Sequence, residues 1–331
     1  ERWLVTGAAG FIGSHLLETL LRAGQQVVAL DDFSTGHRHN LEDVRAAVGE
    51  AAWARVRMVQ GDVADEAVAR AAVEGVDRIL HQAALGSVPR SIENPLRSFH
   101  ANATGFAQLL AAAKEAGIKR VVYASSSSVY GDHPDLPKIE GRTGRVLSPY
   151  AATKAIDEVL AGAFALTYRM QAVGLRYFNV FGPRQDPSGA YAAVIPRWSA
   201  AFLKNEAILV NGDGQTSRDF CYVANVVQAN LRAALVDALP SEHEVFNVAY
   251  GGRTTLLELA AAMHAALQRH AGRALRFEIE HRDFRAGDVR HSLADVGKAR
   301  SLLDYAPTHD VHAGLDETMG WYAARLGATA G

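Results

Sequence analysis

Two side chains suited to proton transfer lie four residues apart in the segment 148–154, which reads SPYAATK. Pro149 is typical of the first turn of a helix, and a helix here places Tyr150 and Lys154 on one face. A free phenol ionises near about pH 10, too high for a general base at neutral pH, but a nearby ammonium favours the phenolate. The pair therefore predicts a tyrosine base tuned by a lysine. Ordinary amphipathic helices also carry such pairs, so the surrounding elements must decide.

A glycine-rich turn lies near the start of the chain. Gly7, Gly10 and Gly13 fall in the segment TGAAGFIG, between a predicted strand and a predicted helix. The first glycine permits a tight turn, the second lets the backbone approach a pyrophosphate, and the third lets helix and strand pack closely. The helix N-terminus then offers unpaired N–H groups to phosphates. The turn predicts a dinucleotide site, although a glycine turn alone is weak evidence.

Acidic residues end the next two predicted strands. Asp31 stands eighteen residues beyond Gly13, where a carboxylate can accept both hydroxyls of a dinucleotide ribose. It would repel a 2′-phosphate, and the glycine turn has no arginine to attract one. The predicted cofactor is therefore NAD rather than NADP. Asp62 either accepts a hydrogen bond from the adenine amino group or caps the helix that follows.

The elements that must position these residues alternate along the first half of the chain. Continuous apolar runs separated by helix-period segments are typical of parallel strands buried on both faces. The predicted strands are Trp3–Thr6, Val27–Leu30, Val56–Val59, Arg78–His81, Arg120–Ala124 and Ala172–Phe178. The predicted helices between them are Phe11–Ala23, Ala64–Val73, Thr104–Ala116 and Pro149–Tyr168. The pattern predicts an α/β fold with a Rossmann-type doubly wound parallel sheet.

The second half of the chain has shorter and more scattered elements. Predicted strands lie near Ile208–Val210, Val245–Asn247 and Leu275–Ile279, and predicted helices near Val194–Lys204, Val223–Val236, Thr255–His270 and Val311–Leu326. We therefore expect an NAD-binding domain over 1–180 and a smaller α/β substrate-binding domain over 181–331. The chain is expected to cross between the two, with a cleft between them.

Composition narrows the classes of partner. The formal net charge of −2 disfavours nucleic acid and anionic membranes, and no apolar run is long enough to span a bilayer. A single cysteine, Cys221, fits a reducing cytoplasm and is interpreted as a core residue. The histidines show no ligand-like spacing, so no metal site is expected, and His37 and His39 are interpreted as surface residues of a polar loop. The chain opens on a strand, so a secretory signal is not expected.

The motifs together resemble a known family. Gly7, Gly10, Gly13, Ser126, Tyr150 and Lys154 match the extended short-chain dehydrogenase/reductases, and the segments 176–182 (RYFNVFG) and 218–220 (RDF) match their nucleotide-sugar branch. The resemblance covers nearly the whole chain. It is closest to the UDP-N-acetylglucosamine 4-epimerases of bacterial surface-polysaccharide (O-antigen) synthesis, through the segments 81–90, 189–196 and 285–292.

This resemblance implies roles for individual residues. Tyr150 would take the O4 proton of the sugar, Ser126 would hydrogen-bond that oxygen, and Lys154 would anchor the nicotinamide ribose. A 4-keto sugar would form and rotate about its phosphate linkage within the cleft, with NAD retained as a prosthetic group. The implied cofactor contacts are Gly7, Gly10, Phe11, Ile12, Gly13, Asp31, Asp32, Ser34, Gly36, Asp62, Val63, Gln82, Ala83, Ala84, Asn102, Tyr150, Lys154 and Tyr177.

The resemblance also implies a UDP-sugar site. Asn179, Arg218 and Arg285 would bind the diphosphate, since guanidinium groups suit phosphate oxygens, although either arginine could instead belong to a structural ion pair. Asp288 would bind the uridine ribose. The further implied substrate contacts are Gly86, Ser87, Ser126, Ser127, Gln185, Ala193, Val194, Asn211 and Ser292.

Residue size near the sugar bears on the choice of substrate. Gly86, Ser87, Ser127, Ala193 and Ser292 are small, which favours an N-acetylated sugar over UDP-glucose, although small residues also fill tight backbone contacts. UDP-N-acetylglucosaminuronate stays open as an alternative, as does a non-catalytic NAD-binding scaffold. Related 4,6-dehydratases carry an Asp-Glu pair where this chain has Ser127-Ser128, so dehydration is not expected.

A homodimer is the expected assembly. The helices near Thr104–Ala116 and Pro149–Tyr168 resemble the pair that forms a four-helix interface in the family. Their alanine-rich faces allow close approach of helices, and would serve equally well for packing on the sheet; the alanines concerned are Ala107, Ala111, Ala112, Ala151 and Ala155.

Overall fold

The computed structural model describes residues 1–187, 192–284 and 289–327 of the 331-residue chain. Seven parallel strands form the main sheet, in the order β11-β6-β5-β4-β1-β2-β3. Their bounds are β1 Arg2–Thr6, β2 Gln26–Asp31, β3 Val56–Gln60, β4 Arg78–His81, β5 Arg120–Ser126, β6 Gln171–Tyr177 and β11 His243–Val248. Most residues of the central strands are fully buried, as expected for a sheet covered on both faces.

Helices cover both faces of this sheet. One apolar layer packs α1, α2, α10 and α12 against it, and the other packs α4, α7 and α8. The helices are α1 Phe11–Arg22, α2 Arg38–Val48, α3 Glu50–Trp53, α4 Glu66–Val73, α5 Val88–Glu93, α6 Pro95–Phe99, α7 Gly105–Glu115, α8 Pro149–Tyr168, α9 Val194–Leu203, α10 Val223–Leu235, α11 Leu256–Ala271, α12 Gly297–Leu303 and α13 Val311–Gly327, with a π-helical turn at His100–Thr104 and a 3-10 turn at Ser127–Tyr130. The predicted doubly wound α/β fold is confirmed.

A smaller unit is built from later parts of the chain. Helices α9, α11 and α13 enclose a third apolar core. Its short strands are β7 Val180–Phe181, β8 Ile208–Asn211, β9 Ser217–Arg218, β10 Cys221–Tyr222, β12 Thr254–Thr255 and β13 Ile279–Arg282. Helix α10 and strand β11, although later than residue 180, belong to the main sheet layer, with β11 paired to β6. Cys221 is fully buried.

Two sequence predictions of local structure were wrong. Helix α2 replaces the polar loop predicted around His37 and His39, because Asn40, Leu41 and Val44 bury one face against the core. The strand predicted near Leu275–Ile279 begins only at Ile279. Leu275 instead bonds to helix α11, since its N–H donates to Gln268 and its carbonyl lies 2.8 Å from the ring of His264.

The parallel arrangement brings the carboxyl ends of six consecutive strands to one edge. The loops after β1, β2, β3, β4, β5 and β6 therefore open on the same crevice, which is where ligands bind in open α/β sheets. Among the residues that the structure describes, no helix is both long enough and apolar enough to cross a bilayer.

Candidate active site

The glycine turn after β1 is as tight as its spacing predicts. Gly7 has φ of +65°, and a Cβ added there would lie 2.9 Å from the Ala83 backbone nitrogen. A Cβ on Gly13 would lie only 2.0 Å from the carbonyl oxygen of Gly7, so the third glycine is what lets α1 pack on the turn. The Gly10 N–H donates to the same carbonyl at 3.0 Å. Larger side chains would close this cradle.

Helix α1 begins directly behind that turn with an open N-terminus. Its N-cap, Gly10, has no side chain to bond the first N–H groups, and the first turn has no acidic residue. Phe11 and Ile12 line the crevice beside it. Exposed N–H groups and the positive end of the helix dipole suit a phosphate at this position.

Asp31 ends β2 at the mouth of the crevice. Its two carboxylate oxygens accept the backbone N–H groups of Ala9 and Phe33, each at 2.8 Å. Burial raises the pKa of Asp31, and these two hydrogen bonds partly oppose that effect. A Cβ on Gly36 would lie 2.7 Å from this carboxylate, so the glycine keeps the approach to it open. A carboxylate held in this way can accept ribose hydroxyls, and the cradle as a whole fits NAD.

One cavity of about 540 Å³ runs along the crevice from the glycine turn to helix α8. With the exception of Asn102, every residue predicted to contact the cofactor lines it. These are Gly7, Gly10, Phe11, Ile12, Gly13, Asp31, Asp32, Ser34, Gly36, Asp62, Val63, Gln82, Ala83, Ala84, Tyr150, Lys154 and Tyr177. Asp62 also accepts the Ala64 N–H at 2.9 Å, whereas the cap of helix α4 is Asp65.

Tyr150 and Lys154 stand at the far end of this cavity on helix α8. Ser148 caps the helix through the Ala151 N–H at 3.1 Å, and Pro149 occupies its first turn, as predicted. The Tyr150 N–H donates to Ser91 Oγ at 3.0 Å. Lys154 is 2% exposed, and its Nζ donates to the Ala124 carbonyl at 3.0 Å. The phenol and the ammonium thus share one wall of the cavity.

The serines at the end of β5 and in the turn that follows have different surroundings. Ser125 lines the cavity, but its hydroxyl donates to Glu158 at 2.6 Å. Ser126 Oγ accepts the Ser128 N–H at 3.1 Å and so caps the 3-10 turn that contains Ser127. Ser126 and Ser127 are half-buried at the strand end and do not line the cavity. This turn carries no carboxylate.

Two polar networks hold the central strand ends. Tyr177 hydroxyl donates to Gln82 at 3.0 Å and accepts from Asn230 at 2.9 Å. Thr6 Oγ1 accepts the N–H groups of Gln82 and Ala83. These contacts fix the loop after β4, which forms one side of the cofactor cavity.

Asn102 lies behind the cavity wall instead of lining it. Its oxygen accepts the Leu85 N–H at 2.7 Å, and its amide donates to Thr153 Oγ1 at 2.9 Å. Thr153 in turn donates to the Tyr150 carbonyl at 2.8 Å. The π-helical turn therefore ties the loop after β4 to the first turn of helix α8.

The residues predicted to contact substrate fall into two groups. Gly86, Ser87, Gln185 and Ala193 line the same cavity as Tyr150. Of the rest that the structure describes, none lines it. Ser126 and Ser127 lie at the end of β5, and the others lie in the smaller unit or at its border: Asn179, Val194, Asn211, Arg218 and Ser292. Arg285, Asp288 and the segment 189–191 lie outside the described residues.

The second group is held mainly by backbone contacts. Asn179 has φ of +34° and donates to the Asp219 carbonyl at 3.1 Å. Arg218 ends β9 and donates to the carbonyls of Ser217 and Arg290. Asp219 is fully buried and accepts the N–H groups of Tyr250, Gly251 and Ala294. Burial raises the pKa of Asp219 to about 6, against the opposing effect of those bonds.

Sequence reasoning missed the side chains that fasten the loop 181–187 over the cavity. Arg184 lines the cavity and donates to Glu18 of helix α1 at 2.7 Å. His37, the N-cap of α2, lies 3.2 Å from the Asp186 carboxylate. The only signal in the sequence was the turn-forming composition of 182–187, because the partners are more than 140 residues away along the chain.

The chain is similar to known proteins over most of its length. Residues 3–249 match the model of the NAD dependent epimerase/dehydratase family. A UDP-glucose 4-epimerase of Mycolicibacterium smegmatis is 35% identical over 323 residues, which cover 97% of this chain and 98% of the relative.

Solved structures are similar over the same extent. A UDP-N-acetylglucosamine 4-epimerase from Methanobrevibacter ruminantium, in complex with UDP-N-acetylmuramic acid, is 35% identical, with 98% of this chain and 99% of that chain covered and a TM-score of 0.87. A UDP-glucuronic acid 4-epimerase from Bacillus cereus, in complex with UDP-glucuronic acid and NAD, is 26% identical, with 98% and 99% covered and a TM-score of 0.86.

Proposed function

Because the chain belongs to the NAD dependent epimerase/dehydratase family, we propose that it interconverts UDP-N-acetylglucosamine and UDP-N-acetylgalactosamine by inverting C4 of the sugar. Membership confirms the predicted cofactor, NAD, and the class of reaction, 4-epimerisation of a UDP-sugar. The identity of the sugar is the part that we propose.

One observation carries the proposal: the glycine cradle and the Tyr150–Lys154 pair line a single cavity. When bound there, NAD would take a hydride from C4 of the sugar and return it to the opposite face. Tyr150 removes the proton from O4 as the bond to C4 hydrogen breaks, and gives it back in the second half of the reaction. Lys154, four residues further along helix α8, supplies a positive charge on the same cavity wall.

The remaining predicted residues keep their proposed roles. Ser126, half-buried beside the 3-10 turn, hydrogen-bonds O4 once the sugar lies over Tyr150. Asn179, Arg218 and Arg285 bind the diphosphate, and Asp288 binds the uridine ribose. Val194 and Asn211 flank the uracil, while Ser127 and Ser292 lie near the sugar. The 4-keto sugar turns about its phosphate linkage within the closed cleft, which keeps it from escaping.

Space near Gly86 supports the N-acetylated sugar. A Cβ added to Gly86 would meet no atom within 4 Å, so the cavity is open at this point. Gln185, Ala192 and Ala193 line the same cavity, and two of the three have side chains of a single methyl group. An acetamido group at C2 needs such room when the 4-keto sugar rotates about its phosphate linkage. UDP-glucose would fit the same space but leave it unfilled.

The direct test is an NMR assay of the purified protein, without added NAD, on three substrates. Conversion of UDP-N-acetylglucosamine faster than UDP-glucose and UDP-N-acetylglucosaminuronate supports the proposal. Gly86→Leu should then slow the N-acetylated sugar far more than UDP-glucose. Conversion of the uronic sugar alone would replace the proposed substrate, and bound NAD without turnover of any of the three would favour a scaffold.

We also propose that two copies of the chain associate through the helix pair near Thr104–Ala116 and Pro149–Tyr168 (α7 and α8), with the neighbouring segment 88–99 extending the surface beside α8. Five apolar side chains on this surface are strongly exposed: Ile92 by 63%, Leu96 by 82%, Phe99 by 46%, Val159 by 72% and Leu166 by 78%. A second copy would cover them by packing helix against helix. The division into an NAD-binding part over 1–180 and a substrate-binding part over 181–331 is proposed with the exception of α10, β11 and α12, which belong to the main sheet layer.

A further inference from the structure

Lys154 is paired with a second charged group inside the protein. Its Nζ lies 3.1 Å from the Asp157 carboxylate, and the two side chains are 2% and 1% exposed. Because Nζ also donates to the Ala124 carbonyl at 3.0 Å, two of the three ammonium protons are used behind the cavity wall. Lys154 also lines the cavity. Asp157 is not among the residues that line this cavity, so it holds the ammonium from behind the wall.

The other titratable groups around this pair are neutral or balanced by other partners. On helix α8, Glu158 forms two hydrogen bonds with Arg176 of β6, at 2.9 and 2.8 Å. On β4, burial lowers the pKa of His81 to about 3, so this ring is uncharged at neutral pH. On β5, burial raises the pKa of Tyr123 well above its usual range, and its hydroxyl lies 2.9 Å from His243 of β11.

We propose that Asp157 is a positioning residue for the base: its carboxylate holds the Lys154 ammonium at the cavity wall and offsets part of the charge that this ammonium exerts on Tyr150. The inference rests on the proposed function only in taking Tyr150 as the base. A buried ammonium without a counter-charge is costly, which gives the pairing its physical reason. Burial raises the pKa of Asp157 to about 6, so the carboxylate is charged at neutral pH.

The direction of the effect follows from the order of charges along the helix. Asp157 lies seven residues beyond Tyr150, about 10 Å along the axis, with Lys154 between them. Removing the negative charge leaves the ammonium uncompensated and favours the phenolate. With an effective dielectric constant of roughly 20 to 40, a unit charge at about 10 Å shifts a titration by roughly half to one pH unit.

The test is an ultraviolet titration of tyrosinate in Asp157→Asn, with the matching Tyr150→Phe protein subtracted in each background. Asparagine keeps an oxygen for Lys154 and removes the charge. Burial raises the pKa of six of the ten tyrosines, which leaves few competing signals. We expect the midpoint to move to lower pH by roughly half to one unit. The acid limb of kcat/KM should move by the same amount.

Two controls separate this role from a structural one. Asp157→Glu keeps the charge and should retain the wild-type midpoint. Asp135→Asn makes the same change in net charge at a carboxylate that is 61% exposed, and should leave the midpoint unchanged. A midpoint in Asp157→Asn that stays in place, or moves to higher pH, overturns the proposal. Should that variant not fold, Asp157→Ser must show the same downward shift.

The titration does not depend on turnover. A wild-type protein that epimerises none of the UDP-sugars would overturn the proposed function while still yielding a tyrosinate midpoint. The two failures are therefore distinguishable.

Discussion

Gly13→Ala should release NAD while leaving most of the fold in place. The added Cβ would lie 2.0 Å from the Gly7 carbonyl oxygen, whereas ordinary contacts begin at 3.4 Å, so the two backbone segments must separate by about 1.4 Å. Overpacking of this kind typically costs about 1–3 kcal/mol of unfolding free energy. The same displacement carries the first N–H groups of α1 away from the phosphates.

The expected loss of affinity follows from those hydrogen bonds. Each bond to a charged oxygen contributes about 1.5–3 kcal/mol, so losing one weakens NAD binding by at least roughly 10-fold and losing two by at least roughly 100-fold. The assay measures NAD released per chain after denaturation, followed by calorimetric titration of the NAD-free protein. Thermal unfolding with and without NAD reports the fold separately.

A graded series makes this prediction stricter. Gly10→Ala places its Cβ 3.1 Å from the same carbonyl, so a small adjustment suffices and the effect should be intermediate. Gly141→Ala meets nothing within 4 Å and should behave as wild type. If Gly13→Ala retained one NAD per chain with unchanged thermal stability, the cradle would not work as described.

Three further predictions concern the base, the buried histidine and the assembly. Tyr150→Phe should lower kcat by at least roughly 100-fold while NAD still copurifies, as measured by NMR; more than about a tenth of wild-type kcat would contradict a base at Tyr150. Burial lowers the pKa of His81 from 6.5 to about 3. Between these two pH values the unfolded chain binds a proton at His81 that the folded chain does not bind, so the free energy of unfolding falls as pH falls below 6.5. His81→Asn should remove up to about 1.4 kcal/mol per pH unit from that slope in urea denaturation at neutral and mildly acidic pH, and an unchanged slope would contradict this account. Val159→Glu and Leu166→Glu should convert a dimer to a monomer in light scattering, whereas an unchanged mass would place any interface elsewhere.

The fold and the cofactor cradle could be predicted from short stretches of sequence because their physics is local. A glycine at φ of +65°, a proline in the first turn of α8 and a lysine four residues after a tyrosine each constrain the backbone or the helix face within a few residues. The parallel strands could be predicted for a related reason, since a strand that is buried on both faces of the sheet is a continuous apolar run in the sequence. The prediction of NAD depended on the glycine turn and on Asp31, which are both short local features of the sequence.

Helix α2 escaped prediction because its apolar face is short. Leu41 and Val44 are its buried apolar side chains, Val48 is only partly buried against the core, and the flanking histidines and arginine made the segment look like a loop. Asn102 was predicted at the cofactor only through the family resemblance. Whether its amide faced the cavity or Leu85 and Thr153 depended on how three distant segments pack.

The sequence by itself therefore determined which chemistry this protein can support: a glycine cradle for a dinucleotide, and a tyrosine and lysine on one helix face. The tertiary structure decided how that chemistry is held. It buried Asp157 against Lys154, placed Arg184 on Glu18 from 166 residues away, and completed the main sheet with β11. The physical reason is that the energy of a charge depends on its burial and its neighbours, and both are set by contacts between segments that no local pattern records.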